Sequence, residues 1–470
     1  MKAPSKVRFI FKALLVLCVF VAVLLFATGL VLTRGFVEPP WDNAKANPES
    51  IYVTGNLLRG NPPGGEPAGG SPAASDPRTD AAGHIAEGAV PLISPFHLQT
   101  EPMERLLLMN FDQDPDSVYV GFEPQYFDDN VYGTGLLVLG WRADGRIDVF
   151  HDPGLQLNPH NYGIAGAGLH AMVERSFDGA FFELGHDGVQ TDITFDDLDG
   201  RPVHLMIRET DTRPRTPFGL LAPMGSVASD PPALPLVYVD GFYFVRRAGT
   251  EYRIEIDGRS HQTDFLPLVL DRTPMYFLRY SASPFIVTWN PDSDAGIRIL
   301  EPVAEGGEIV AYADGVRYEL KRNGGFHEIR QMSRRLDEKE VTVEFAPAFP
   351  QLLSVADGAD VRGEFRITAG GSLGTVRGTW NVSRNGRELY MELLPDGGWI
   401  PGSAPPMARG LFRAVSMFRE WPSTYVWRGT IQLPENDTHA ELVSVDTANY
   451  DMVSAEMPLS LVSGWERITQ

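Results

Sequence analysis

The stretch Val118-Tyr119-Val120-Gly121-Phe122, followed by Gly135-Leu136-Leu137-Val138-Leu139-Gly140-Trp141 and then Asp144-Gly145 and Arg146-Ile147-Asp148-Val149-Phe150, decides the fold class. It holds three apolar runs too short for helices, broken by a turn dipeptide. Asp tolerates the left-handed conformation and Gly supplies positive φ, so Asp-Gly between two runs predicts a hairpin. The same signal recurs at Asp187-Gly188, Asp199-Gly200, Asp257-Gly258, Asp314-Gly315, Asn323-Gly324, Asn385-Gly386 and Asp396-Gly397. Strict alternation in Tyr252-Arg253-Ile254-Glu255-Ile256 and Val341-Thr342-Val343-Glu344-Phe345 marks strands with one buried face. The expected class is all-β, an antiparallel sandwich or barrel-like assembly. Its two halves should be residues 91–305 and 306–470, the boundary lying where charge rises and the runs shorten.

Two helices are expected within it. Residues 162–177 place Ile164, Ala165, Leu169, Met172, Val173 and Phe177 on one face. Residues 405–420 do the same with Met407, Leu411, Phe412, Val415 and Phe418, leaving Arg409, Arg413 and Arg419 elsewhere.

Outward from this β region, the N-terminus differs in kind. Ala13 to Thr33 is uncharged and apolar, and at about 1.5 Å per residue it spans a hydrocarbon core of roughly 30 Å. Lys2, Lys6, Arg8 and Lys12 precede it, whereas Glu38 and Asp42 follow soon after Arg34. This asymmetry predicts a single-pass anchor in a bacterial inner membrane, with a cytoplasmic N-terminus and a periplasmic or extracellular β region. The run is too long for a cleaved signal, and Leu17 rather than a small residue precedes Cys18. Residues 35–90, rich in Gly, Pro, Ala, Ser and Asp, have little to bury and form a flexible linker.

Composition excludes several functions. The chain carries 40 basic and 61 acidic residues, a net charge of −21. Without the four N-terminal basic residues the balance is 36 to 61, so phosphate backbones are repelled and nucleic acid is not an expected partner. Cys18 is the only cysteine, which excludes disulfides, cysteine metal ligands and a cysteine nucleophile from the β region. No Gly-x-Ser-x-Gly elbow, P-loop or dinucleotide fingerprint occurs, and no cofactor is expected.

Three sets of residues are candidates for chemistry. His151, His160, His170, His186 and His204 fall close together with Glu174 and Glu183. Of these, His160, His170 and Glu174, together with Arg279, could supply acid–base groups if they converge. Asp112-x-Asp114-x-Asp116 with Glu123, and Asn290-x-Asp292-x-Asp294 with Glu301, each place an acid eleven residues after the first ligand position, as calcium loops do. Neither has Gly at the sixth position, and apolar strands flank both, so calcium is the one ion to consider and solvated turns are the plainer reading. The apolar loop Arg215–Gly225 with Tyr280 and Trp289 offers Phe218, Met224, Tyr280 and Trp289 as walls for an apolar ligand, although core packing accounts for the same residues.

Phe122-Glu123-Pro124-Gln125, Leu139-Gly140-Trp141-Arg142, Pro217–Gly225 and Trp421-Pro422-x-Thr424-Tyr425-x-Trp427 together resemble an uncharacterised family of bacterial β-rich proteins. The resemblance covers roughly residues 100–430 and implies no activity. The run of hairpins with a late helix is similar to the two-barrel, lipocalin-like organisation of carotenoid hydratases and tocopherol cyclases, a likeness of fold that transfers no catalytic residue. The expected function is binding or modification of a lipid-like or isoprenoid small molecule. Carbohydrate recognition or processing and a non-catalytic envelope scaffold are the alternatives, and no reaction follows from the sequence.

Overall fold

The computed structural model describes residues 92–129, 132–185, 188–223, 231, 233–270, 273–290, 296–336, 339–370, 373–402, 404, 406–433 and 459–468. The expected membrane span and linker, and the sites proposed at Met224, Asp292 and Asp294, lie outside them. Among the described residues no helix is long and apolar enough to cross a membrane.

The chain is mostly β, with 28 described strands in sheets of eleven, ten, five and two strands. The eleven-stranded sheet is central. In order it contains Leu98–Pro102, Ser283–Trp289, Leu234–Arg246, Thr273–Ser281, Arg105–Asn110, Tyr119–Asp129, Gly133–Arg142, Ile147–His151 and Leu169–Glu174, with Phe218–Ala222 and Phe265–Leu270 added at its sides. Strand Leu234–Arg246 gives the sheet its bend. Up to Asp240 it pairs with Ser283–Trp289, and from Tyr243 with Thr273–Ser281. Gly241 sits at the change of partner with φ 63°, where a side chain would be strained.

Strand Gly133–Arg142 shows how this sheet separates two cores. Leu136 and Val138 join Phe122, Phe150, Phe195, Ile207 and Ile254 in the layer beneath the five-stranded sheet. Leu137 and Leu139 face the other way, toward Leu155 and Ala165. A strand buried on both faces reads as a continuous apolar run, as Leu136–Leu139 does.

The ten-stranded sheet runs from Val303–Glu305 to Leu461–Arg467, each strand pairing antiparallel with the next. Aromatic side chains cover glycines on neighbouring strands: Trp380 lies opposite Gly363, and Phe365 opposite Gly378. A Cβ on Gly363 would stand 2.5 Å from the Trp380 ring, so only glycine admits the indole there. The segment between strands Leu92–Ser94 and Leu98–Pro102 enters this core. Phe96 packs on Phe345 and Phe349 at 5.0 and 4.6 Å, and Ile93 donates its N–H to Gln351 Oε1 across 258 positions.

Several turns form as the dipeptides predict. Asp257-Gly258 and Asp314-Gly315 are two-residue hairpins with positive φ at both positions. Asp396-Gly397 corrects the expectation of a hairpin. It lies inside strand Glu388–Ile400, where a bulge is accommodated between the Thr375–Ile400 and Arg377–Asp396 pairs. The helix expected at 405–420 is present as Pro406–Ala414 and Ser416–Glu420, broken at Val415. The helix expected at 162–177 is absent. Pro159–Tyr162 is a short 3-10 turn, and Leu169–Glu174 is a strand paired in parallel with Ile147–His151. Gly166 and Gly168 adopt φ of 56° and 102°, which ends any helix between them.

Candidate functional site

A cleft of about 100 Å³ lies against the central sheet. Its floor is built by alternation. Gln99 and Glu101 on one strand stand beside Thr288 and Ile286 on the next, with Val237 beyond, and Gln125, Phe127 and Leu139 close the other side. The segment Leu157–Ala165 lies over it. Asn158 caps the 3-10 turn by accepting the His160 N–H at 3.0 Å, and Pro159 supplies the fixed φ of its first position. That turn brings His160, Asn161 and Tyr162 to the cleft.

The polar groups are few and oriented. Asn161 donates its amide to Glu101 Oε1 at 3.4 Å. Burial, and then the nearby Glu101 carboxylate, push the Tyr162 hydroxyl pKa up, so it stays protonated. Gln125 donates its amide N–H to Glu123 Oε1 at 2.9 Å, which turns its own carbonyl away from Glu123. Phe127 and Tyr132 meet edge to face at 5.9 Å.

Behind Gln125 lies a buried ionisable group. Glu123 is 3 % exposed and accepts a second hydrogen bond from Trp141 Nε1 at 3.1 Å. Burial pushes its carboxyl up from 4.5 to about 7, against those hydrogen bonds and the charge of Arg279. Arg279 is buried too, donates to Asn110, and is brought down to about 10 by desolvation. Nearby, burial and the neighbouring Asp264 carboxylate raise the Asp112 carboxyl.

A second cluster lies apart from the cleft. Asp148, fully buried, accepts from Tyr119 Oη at 2.9 Å and Arg142 Nη1 at 2.7 Å, and its other oxygen meets His170 Nδ1 at 2.6 Å. With the Nδ1 proton directed at the carboxylate, Nε2 becomes the basic atom of His170. Among the described residues no serine or threonine hydroxyl is hydrogen-bonded to His170.

The four acid–base candidates thus do not form one site. His160 lines the cleft, His170 belongs to the Asp148 cluster, Glu174 is exposed at a strand end, and Arg279 sits in the buried Asn110 cluster. Among the ligand-wall candidates, Tyr280 and Trp289 are wholly buried in the cores, while Phe218 packs on Phe242 and Phe412. None of the three lines the cleft. The first acidic loop is engaged internally: Asp114 meets Arg259, Asp116 meets Arg201 at 3.0 Å, and Asp112 meets Asn110. Asn290 accepts the His97 N–H, and Glu301 is exposed after strand Arg298–Leu300. Among the described residues no three His, Cys, Asp or Glu side chains are placed to hold a metal ion.

Sequence reasoning passed over Glu101, Gln125, Phe127, Tyr132 and Tyr162. The available signal was the polar and aromatic run Asn158-Pro159-His160-Asn161-Tyr162, whose Asn-Pro start predicts a capped turn. No protein-family model matches the chain, and no curated protein and no solved structure is significantly similar to it.

Proposed function

We propose that this chain is a membrane-tethered, extracytoplasmic binding protein whose cleft receives one end of a lipid-like small molecule. The observation that carries the reading is the cleft itself: apolar walls from Leu139, Leu157, Ile164, Val237 and Ile286 around a few oriented polar groups, the usual make-up of a small-molecule site. Its 100 Å³ is well below the roughly 300–1,000 Å³ of pockets that swallow a whole ligand. A terminal group therefore enters, and the remainder lies outside. The apolar run Ala13–Thr33 supports the tether, since it would hold the β region close to a source of such molecules.

A glycan-binding face is less favoured. Trp421, Tyr425 and Trp427, the aromatics best suited to stack on sugars, are each no more than 2 % exposed.

The full chain, purified in a non-ionic detergent, should bind a fluorescent lipid probe and carry lipid detectable by mass spectrometry after extraction. Ile164→Trp, which narrows the cleft, should abolish both. If hydrophobic probes neither bind nor stabilise the protein and extracts hold no lipid, the reading is dropped.

A further inference from the structure

The cleft is lined by a distinctive set of side chains, and the inference drawn from them rests on the binding function proposed above. Among the described residues its lining contains no Lys and no Arg; Glu101 is its carboxylate and His160 its imidazole. Three rings, Phe127, Tyr132 and Tyr162, border the same space. The amide of Gln125, which also lines the cleft, donates one N–H to Glu123 and keeps a carbonyl oxygen and a second N–H. Asn161 likewise spends an amide N–H on Glu101. The space accordingly combines a carboxylate, side-chain amides and aromatic rings. An anion entering it would be repelled by the carboxylate. A cation would meet the carboxylate beside three aromatic rings.

Size narrows the choice. At 100 Å³ the cleft is small against the roughly 300–1,000 Å³ of pockets that enclose a whole ligand, so a compact group suits it better than a long chain. The net charge of −21 draws cations toward the protein from a distance.

We infer that the cleft recognises a compact organic cation, an alkylammonium headgroup, through the Glu101 carboxylate and the rings of Phe127, Tyr132 and Tyr162. Glu101 supplies the charge, and the Gln125 amide supplies a hydrogen-bonding group for any N–H or adjacent hydroxyl. The apolar part of the ligand then leaves the cleft along Leu157 and Ile164.

The test is isothermal titration of the full chain, in a non-ionic detergent, with choline and with its uncharged isostere 3,3-dimethylbutan-1-ol. Choline should bind at least about tenfold more tightly, as expected when a cation meets ring faces and a carboxylate in a partly desolvated site. Glu101→Gln should remove most of that preference while leaving the melting temperature unchanged. Tyr132→Leu should weaken choline binding and spare the isostere, which keeps the question open to decision if the first variant folds poorly. Equal binding of choline and isostere, or displacement of the lipid probe by a dodecyl sulfate but not by a dodecyltrimethylammonium, overturns the cation preference and leaves lipid-end binding standing. Binding of neither the lipid probe nor choline removes both. Selective binding of an uncharged polyol such as inositol also overturns the inference.

Discussion

Replacing Glu123 by Gln probes the most perturbed carboxyl near the cleft. Gln copies the shape of a protonated carboxyl but cannot ionise. In the folded protein the Glu123 carboxyl is raised from 4.5 to about 7, with burial the largest cause. A carboxyl raised on folding contributes stability that is fully present below its unfolded value of 4.5 and is lost as pH climbs through about 7. At about 1.36 kcal/mol for each pH unit between the two values, wild type should lose about 2 to 3 kcal/mol relative to Glu123→Gln between pH 5 and pH 8. The comparison between the two chains cancels the titration of every other group not coupled to this one. Trp141 can still donate to the carbonyl of the introduced amide and Gln125 can turn its own amide over, so the hydrogen-bonding loss is about 1 kcal/mol at most. Urea unfolding of both full-length chains, followed by tryptophan fluorescence at intervals between pH 5 and 8, measures the difference. The variant should match or fall slightly below wild type at pH 5 and exceed it at pH 8. A variant less stable by the same amount at both pH values would show that Arg279 keeps Glu123 ionised throughout, and the buried-acid argument would fail.

Asp112→Asn should also gain stability at pH 8 and little at pH 5, because it removes a carboxylate that burial, and then the neighbouring Asp264, disfavour; a loss at pH 8 in urea unfolding would count against that account. His97 is buried, with Nε2 on the Gly296 carbonyl at 2.8 Å and Nδ1 facing Arg298 at 3.1 Å, and burial lowers its pKa from 6.5. Its ring-proton NMR titration should therefore have a midpoint below 6.5, and its contribution to stability should be lost as pH falls through that midpoint; a midpoint above 6.5 would contradict the buried neutral ring. Trp465→Phe keeps an aromatic ring against Trp289 but loses the indole N–H shared by the Trp289 and Asn290 carbonyls, a cost of about 1 to 2 kcal/mol by chemical denaturation. Gly363→Ala should cost about 1 to 3 kcal/mol through the Trp380 ring, whereas Gly464→Ala, which meets nothing within 4 Å, should be near neutral. Equal melting temperatures for the two alanine variants would refute the close-approach argument.

Local chemistry makes much of the fold legible. Asp314-Gly315 forms its hairpin because both residues tolerate positive φ, and Ile254 and Ile256 point inward because a strand alternates. The expectation at 162–177 fails for an equally local reason. Spacings of three and four residues occur in a loop followed by a strand as well as in a helix, and the glycines are the stronger sign. Asp396-Gly397 misleads because a bulge needs the same positive φ that a turn does. The site is far less legible. In sequence Glu123 looks like the closing acid of a calcium-type loop, but its role depends on Gln125, Trp141 and Arg279, which only the sheet brings together. Glu101 and Thr288 are ordinary polar residues on strands, and nothing in their spacing reveals that residues 157–165 cross above them.

The insertion of Phe96 has a consequence for the order in which the chain can mature. The phenyl ring that fills the ten-stranded sheet emerges early in synthesis, yet Phe345, Phe349 and Gln351, which receive it, follow about 250 residues later. Until that downstream portion is made, the plug has no socket. Closing so long a loop is slow and yields no contact energy until it is complete. The eleven- and five-stranded sheets, built from residues 98–289, can form first, and the seating of Phe96 is a late step. A truncation that removes the ten-stranded sheet would leave Phe96 and its neighbours exposed as a sticky apolar segment, vulnerable to aggregation and proteolysis.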